Sequence, residues 1–157
     1  MLTRCQFVNF KSWEDTGPIQ LSPLTVFFGR NSSGKSSLLQ ADLMMKQTAE
    51  SLDPRQVLDL GNQDSYADLG TYRDIVRDHD MQRHVRLNFT WTADNPIVLR
   101  QVGDMPLMSN TFSFATEIGL EDGKRQQLGE VLVYNMKYEI GHGGNRTLSD
   151  GKHGPDA

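Results

Sequence analysis

The 157-residue chain has a single cysteine, Cys5, so no intrachain disulfide can form, and a reducing compartment fits this usage. Cys5 lies in a β-like run and reads as a core residue rather than a reactive thiol. No apolar run approaches the roughly 18 residues of a membrane-spanning helix, and the N-terminus lacks the apolar stretch of a signal peptide. A cytoplasmic address with no membrane partner is therefore expected. There is no basic excess either: 16 Lys and Arg against 20 Asp and Glu give a net charge of −4, so any contact with DNA would have to be a local patch. The length and the 37% hydrophobic content suit one domain with a real core, or part of one.

What the chain does have is an eight-residue run, Gly29-Arg30-Asn31-Ser32-Ser33-Gly34-Lys35-Ser36, that fits the phosphate-loop pattern G-x-x-x-x-G-K-[ST]. A triphosphate is a dense anion, and a loop that binds it must turn tightly enough to aim several backbone N–H groups inward. Glycines at its two ends tolerate the angles this requires. The helix that follows adds unpaired first-turn N–H groups and the positive end of its dipole. Lys35 is expected to reach the β- and γ-phosphates as a point charge and to be the catalytic cation, and Ser36 to ligate Mg²⁺ through its hydroxyl. The expected nucleotide-binding set is Gly29, Arg30, Asn31, Ser32, Ser33, Gly34, Lys35, Ser36 and Ser37.

The flanks agree with the motif. Leu24-Thr25-Val26-Phe27-Phe28 is apolar and β-prone and reads as the strand that feeds the loop. From Lys35 to about Glu50 there is no Gly or Pro, and Leu38, Ala41, Met45 and Ala49 make a stripe at helical spacing. Upstream, Leu2 to Phe10 and Ile19 to Leu21 read as strands separated by the turn-rich Glu14 to Pro18. Downstream, Ser51 to Asp80 is polar and reads as loop with one or two short helices.

The next sixty residues alternate apolar and polar, the period of strands with one wet face. The apolar positions are Val85, Leu87, Phe89 and Trp91, then Phe112, Phe114, Ile118 and Leu120, then Leu132, Tyr134, Met136, Tyr138 and Ile140. Turns are expected at Asp94-Asn95-Pro96, Glu121 to Lys124 and Gly141 to Asn145. The tail from Thr147 has no apolar period. A hairpin-rich end without a covering helix suggests a chain that stops inside a larger domain.

These features together resemble the nucleotide-binding half of SMC/RecF/OLD-like ATPases of the ABC class. Asn9-Phe10-Lys11-Ser12-Trp13, Leu21 to Val26, and the run from Gly29 to Leu39 look like the N-terminus of predicted AAA-type ATPases of that group, found in prokaryotic genome maintenance and anti-phage systems. Asp68 to Val76 followed by Asp78-His79-Asp80 looks like a segment after the first helix in the same group. The implied fold class is α/β, a P-loop NTPase with an ABC-ATPase-like N-terminal lobe and an antiparallel β-rich portion after the loop helix. The implied domain is a partial one over 1–157: strands, Walker A loop and helix in 1–50, loop and short helices in 51–82, antiparallel strands in 83–146, and a tail in 147–157.

The same resemblance implies ATP and Mg²⁺ as cofactors and a homodimer closing across the nucleotide, with DNA or an effector nuclease as further partners. It also implies a Walker B Asp-Glu and a signature loop, and neither is found. Ile118-Gly119-Leu120-Glu121-Asp122 is the nearest to a Walker B but reads as an amphipathic strand entering a turn. Leu148-Ser149-Asp150-Gly151 has signature-like wording, but Lys-His-Gly-Pro follows it and cannot start a lasting helix. The water-orienting acid is accordingly expected outside this chain. Two alternatives stand beside this reading, a small-molecule kinase using the same loop and a non-catalytic nucleotide-binding fragment. Asp78, His79, Asp80 and His84 invite a metal site, but a solvated charged turn fits their spacing better. Gln63, Gln82 and Gln101 are each possible Mg²⁺-sensing glutamines, with nothing to choose among them.

Overall fold

The computed structural model describes residues 1–52, 58–99, 107–120 and 132–141. It is a mixed α/β structure in which one face of an antiparallel sheet is covered by a long helix and by an irregular segment. The strands are β1 (Leu2–Phe10), β2 (Trp13–Asp15), β3 (Ile19–Gln20), β4 (Val85–Leu99), β5 (Leu107–Gly119) and β6 (Leu132–Gly141). They run in the order β2-β1-β4-β5-β6, with β3 also on β1, and every pairing is antiparallel.

Register explains which side chains go inward. Cys5 faces Phe89 and Phe7 faces Leu87 across β1 and β4, while Phe89 faces Phe114 and Val85 faces Ile118 across β4 and β5. Directly opposed residues share a face of the sheet, so these positions build one apolar surface. Gln6, Asn88 and Ala115, at the alternate positions, belong to the other face. The core joins this surface to Leu38, Ala41 and Met44 of helix α1 (Lys35–Glu50) and to Leu58, Leu69, Tyr72, Ile75 and Val76.

Three expectations are corrected. The run Leu24 to Phe28 forms no strand: it is irregular, and Leu24, Val26 and Phe28 are exposed. A strand needs a neighbour to take its backbone hydrogen bonds, and this run has none among the described residues. The turn expected at Asp94-Asn95-Pro96 is absent, because β4 continues through it. Between Thr92, opposite Thr111, and Ile97, opposite Ser109, the register shifts, so Pro96, which cannot donate to the ladder, sits in a bulge. The buried stripe of α1 is Leu38, Ala41, Met44 and Gln47, rather than one running through Met45 and Ala49. Gln47 explains the rotation. Its Nε2 donates to the Asp59 and Ala67 carbonyls (2.8 and 3.1 Å), and its Oε1 accepts from the Ala67 N–H (3.2 Å). A fully hydrogen-bonded amide can be buried where a free one could not.

The polar segment after α1 contributes more than a loop. Its helix α2 (Tyr72–Ile75) and a 3₁₀ turn at Arg77–His79 pack against the end of β1. The Lys11 N–H donates to the Ile75 carbonyl, and Phe10 bridges to Val76. The Tyr72 hydroxyl lies within hydrogen-bond distance of the carbonyls of Arg83 and Ile118 (2.8 and 3.0 Å), tying the segment to β5. No helix among the described residues is long and apolar enough to cross a membrane.

Candidate phosphate-binding loop

Residues 29–33 are exposed and, with half-buried Gly34, form a turn that runs directly into α1. Gly34 is the N-cap residue, at φ 86° and ψ 7° in the left-handed region that favours glycine. Space gives a second reason for glycine. A Cβ there would lie 2.6 Å from Trp13 Nε1 and would also collide with Ser12 Oγ. Ser32, at φ 60°, carries a side chain in the same strained region.

Lys35 opens the helix and curls back over the loop. Its Nζ donates to the carbonyls of Gly29 (2.9 Å) and Arg30 (2.6 Å) and lies 3.4 Å from Ser33 Oγ. The loop is thus wrapped around an ammonium group. Two of its amides are used internally, Ser33 N–H to the Arg30 carbonyl (3.3 Å) and Ser37 N–H to the Gly34 carbonyl (3.1 Å). The N–H groups of Asn31, Ser32, Gly34, Lys35 and Ser36 have no hydrogen-bond partner among the described residues. Five unengaged N–H groups, one ammonium group and a helix N-terminus thus lie within one short stretch. Ser36 is exposed at the second helical position.

The nine expected residues therefore come together, as they must when all are consecutive. What the sequence reading missed is the support beneath them. Trp13 follows the two-residue turn Lys11-Ser12 that joins β1 to β2, and Phe10 pairs with Trp13 across that hairpin. From there Trp13 Nε1 donates to the Gly34 carbonyl at 3.1 Å, and Ser12 comes up against Gly34. The N-terminal hairpin is a buttress for the loop some twenty residues later. The available signal was a tryptophan placed immediately after a tight turn, with an N–H to satisfy.

The other candidates are dispersed. His79 Nδ1 lies 2.8 Å from the Arg73 carbonyl, His84 Nδ1 lies 3.0 Å from Glu117 Oε1, and Asp78 and Asp80 both pair with Arg83 (3.2 and 3.0 Å). Among the described residues no group of three or more His, Cys, Asp or Glu could hold a metal ion. Gln63 and Gln82 are exposed. Gln101, Glu121, Asp122 and Leu148 to Gly151 lie outside the described residues. In comparison with known proteins, the chain matches no protein-family model and no curated protein.

Proposed function

We propose that the chain binds Mg-ATP through residues 29–37 and is a nucleotide-binding lobe of a P-loop ATPase related to the SMC/RecF/OLD group. The observation that carries this reading is the loop's wrap around Lys35 Nζ at the start of a 16-residue helix, beside five unengaged N–H groups. Phosphate oxygens offer the ammonium better acceptors than the carbonyls it now touches, because both partners are then charged. The free amides point the same way, since a phosphate chain needs many donors and no acceptors. Ser36 Oγ is the residue suited to Mg²⁺, and the ion would neutralise part of the charge held by the loop. Lys35 holds and orients the phosphates and stabilises charge that develops on them.

Hydrolysis needs a water-orienting acid, which this proposal assigns to residues other than the loop. Pairing with a second copy across the nucleotide, service to a DNA-directed effector and a cytoplasmic address follow from the family resemblance. The kinase alternative uses the same loop, and ATP-dependent phosphoryl transfer to a metabolite would favour it over the ATPase reading.

Titration calorimetry of the whole chain with Mg-ATP is the test. Saturable binding is expected, weakened by tenfold or more in Lys35→Ala, because a charge-assisted hydrogen bond contributes about 1.5–3 kcal/mol. Equal binding by the two proteins, or none by the unaltered chain, would overturn the proposal. Competition by GTP measures what the loop itself leaves open, the choice of base.

A further inference from the structure

A groove of about 510 Å³ runs between α1 and the apolar face of the sheet. Met45 forms one wall, Phe89 and Trp91 of β4 with Phe112 and Phe114 of β5 form the other, and Asp42 enters from the helix. The Phe89 and Trp91 rings stack with centroids 5.7 Å apart and planes 23° from parallel. Asp42 is out of place in such company. Its Oδ1 is fully buried and has no hydrogen-bond partner among the described residues. A carboxylate oxygen withdrawn from water without a donor is costly, and proteins retain such groups where something pairs with them.

Among the described residues, the charges around Asp42 leave it uncompensated. Lys46, on the same helix, lies along the groove, but its ammonium sits 4.1 Å over the Tyr66 ring and 4.0 Å from Glu50. Cys5 of β1 is buried, and its thiol is pushed up to about 11, by burial first and by Asp42 second, so it is neutral at physiological pH. β4 and β5 bring only aromatic rings and Ser113 to the groove. Because Oδ1 is closed off, a ligand in the groove would meet the charge of the carboxylate rather than that oxygen: an anion would be repelled, and a neutral apolar molecule would leave the charge uncompensated. A cation on an apolar stem satisfies both, because ring faces attract cations and the stem fills apolar space.

We propose that this groove is a binding site for a small organic monocation, an ammonium on an aromatic or short alkyl stem, with Asp42 as its carboxylate partner and Trp91 and Phe112 among its aromatic walls. The site is separate from residues 29–37. Asp42 lies seven residues beyond Lys35, which is roughly 10 Å along the helix at 1.5 Å per residue, and the proposal does not depend on nucleotide binding. Burial pushes the Asp42 carboxyl up to about 6, so it is ionised at pH 7.5 and mostly protonated at pH 5. The pairing is correspondingly confined to the higher pH.

Phenethylamine, with 2-phenylethanol as its uncharged counterpart, is the probe for calorimetry on the full chain. At pH 7.5 the amine is expected to bind saturably and at least tenfold more tightly than the alcohol. Asp42→Asn should remove that advantage and leave the alcohol's affinity unchanged, and at pH 5 the unaltered protein should behave like the variant. In the unaltered protein, carbon-detected NMR should show the Asp42 carboxyl titrating at lower pH once the amine is added, a readout that needs no variant to fold. Equal affinity for amine and alcohol, full amine affinity in Asp42→Asn, or a carboxyl titration unmoved by the amine would each overturn the proposal.

Discussion

Val85-Arg86-Leu87-Asn88-Phe89 and Leu24-Thr25-Val26-Phe27-Phe28 are both short β-prone runs with apolar residues at alternate positions. In the first, all three alternating apolar side chains are buried in the core. In the second, Leu24, Val26 and Phe28 are 83%, 59% and 90% exposed. Intrinsic preference for extended backbone does not separate them, since Val, Leu and Phe occur in both. The neighbours do. β4 lies between β1 and β5 and beneath α1, so its backbone is paired on both edges and its apolar face is covered. Among the described residues, 24–28 have only local hydrogen bonds with Ser22, its N–H to Thr25 Oγ1 at 2.9 Å and Thr25 Oγ1 to its carbonyl at 3.2 Å, and the partial burial of Phe27. The contrast teaches that strand preference is a preference for a half-buried pleated surface, and that such a surface must be supplied by other elements.

The sharpest way to break the comparison is to truncate one side chain from each run. Leu87→Ala should lower the unfolding free energy by about 2–5 kcal/mol, the range for emptying a fully buried aliphatic site. Phe28→Ala should stay within about 0.5 kcal/mol, as for an exposed position without special contacts. Urea denaturation followed by circular dichroism measures both. A large loss in Phe28→Ala would mean that the run is covered in solution and that the two runs are alike.

How much of this was legible in the sequence follows the same division. Alternation located β4, β5 and β6, because on a sheet with one wet face the period itself is the signal. The span of α1 was legible from a Gly- and Pro-free run after the loop, yet its inward face was not. Met44 and Met45 are equally apolar, and the choice between them is made by Gln47, a polar residue clamped to Asp59 and Ala67. The Asp94-Asn95-Pro96 turn was misread because a long strand can absorb turn-like residues in a bulge when its partner continues past them. The core contribution of residues 58–76 was hidden by composition: Leu58, Leu69, Tyr72, Ile75 and Val76 are scattered among Asp, Gly and Arg with no single period. For the loop, the motif specified the consecutive residues but not Trp13, since a contact across twenty-one positions leaves no local trace.

Helix α1 runs from the loop to the covered sheet, and Asp42 tests what burial on its flank costs. The folded-state carboxyl is raised above its ordinary value of 3.8 to about 6 by burial, so the folded protein holds a proton that the unfolded chain releases between those values. Stability should therefore fall as pH rises from about 4 to about 6 and stay lower above that. Asp42→Asn removes the titration. Relative to the unaltered chain it should be about 1–2 kcal/mol more stable at pH 8, allowing for solvent screening at a half-buried group, and nearly equal at pH 4. Parallel urea titrations at the two pH values check the sign, and a variant less stable at pH 8 would show that the carboxylate is favourably paired.

A smaller and local effect concerns the exposed side of the comparison, where the loop depends on one long-range contact. Trp13→Phe keeps an aromatic ring next to Gly34 and deletes only the donor that meets the Gly34 carbonyl. A single neutral hydrogen bond contributes about 0.5–1.5 kcal/mol, and this one is partly accessible to water, so global stability should change by less than about 1 kcal/mol. The loss should be local. Gly34 would be freer to leave its left-handed angle, and the Mg-ATP affinity proposed for the loop should drop severalfold while Lys35 and its contacts remain. Calorimetry against denaturation separates the two readouts. If affinity and stability fell together, Trp13 would be part of the shared core; if affinity fell alone, the hairpin's role is to hold the loop in shape, giving an exposed segment the order that β4 receives from its neighbours.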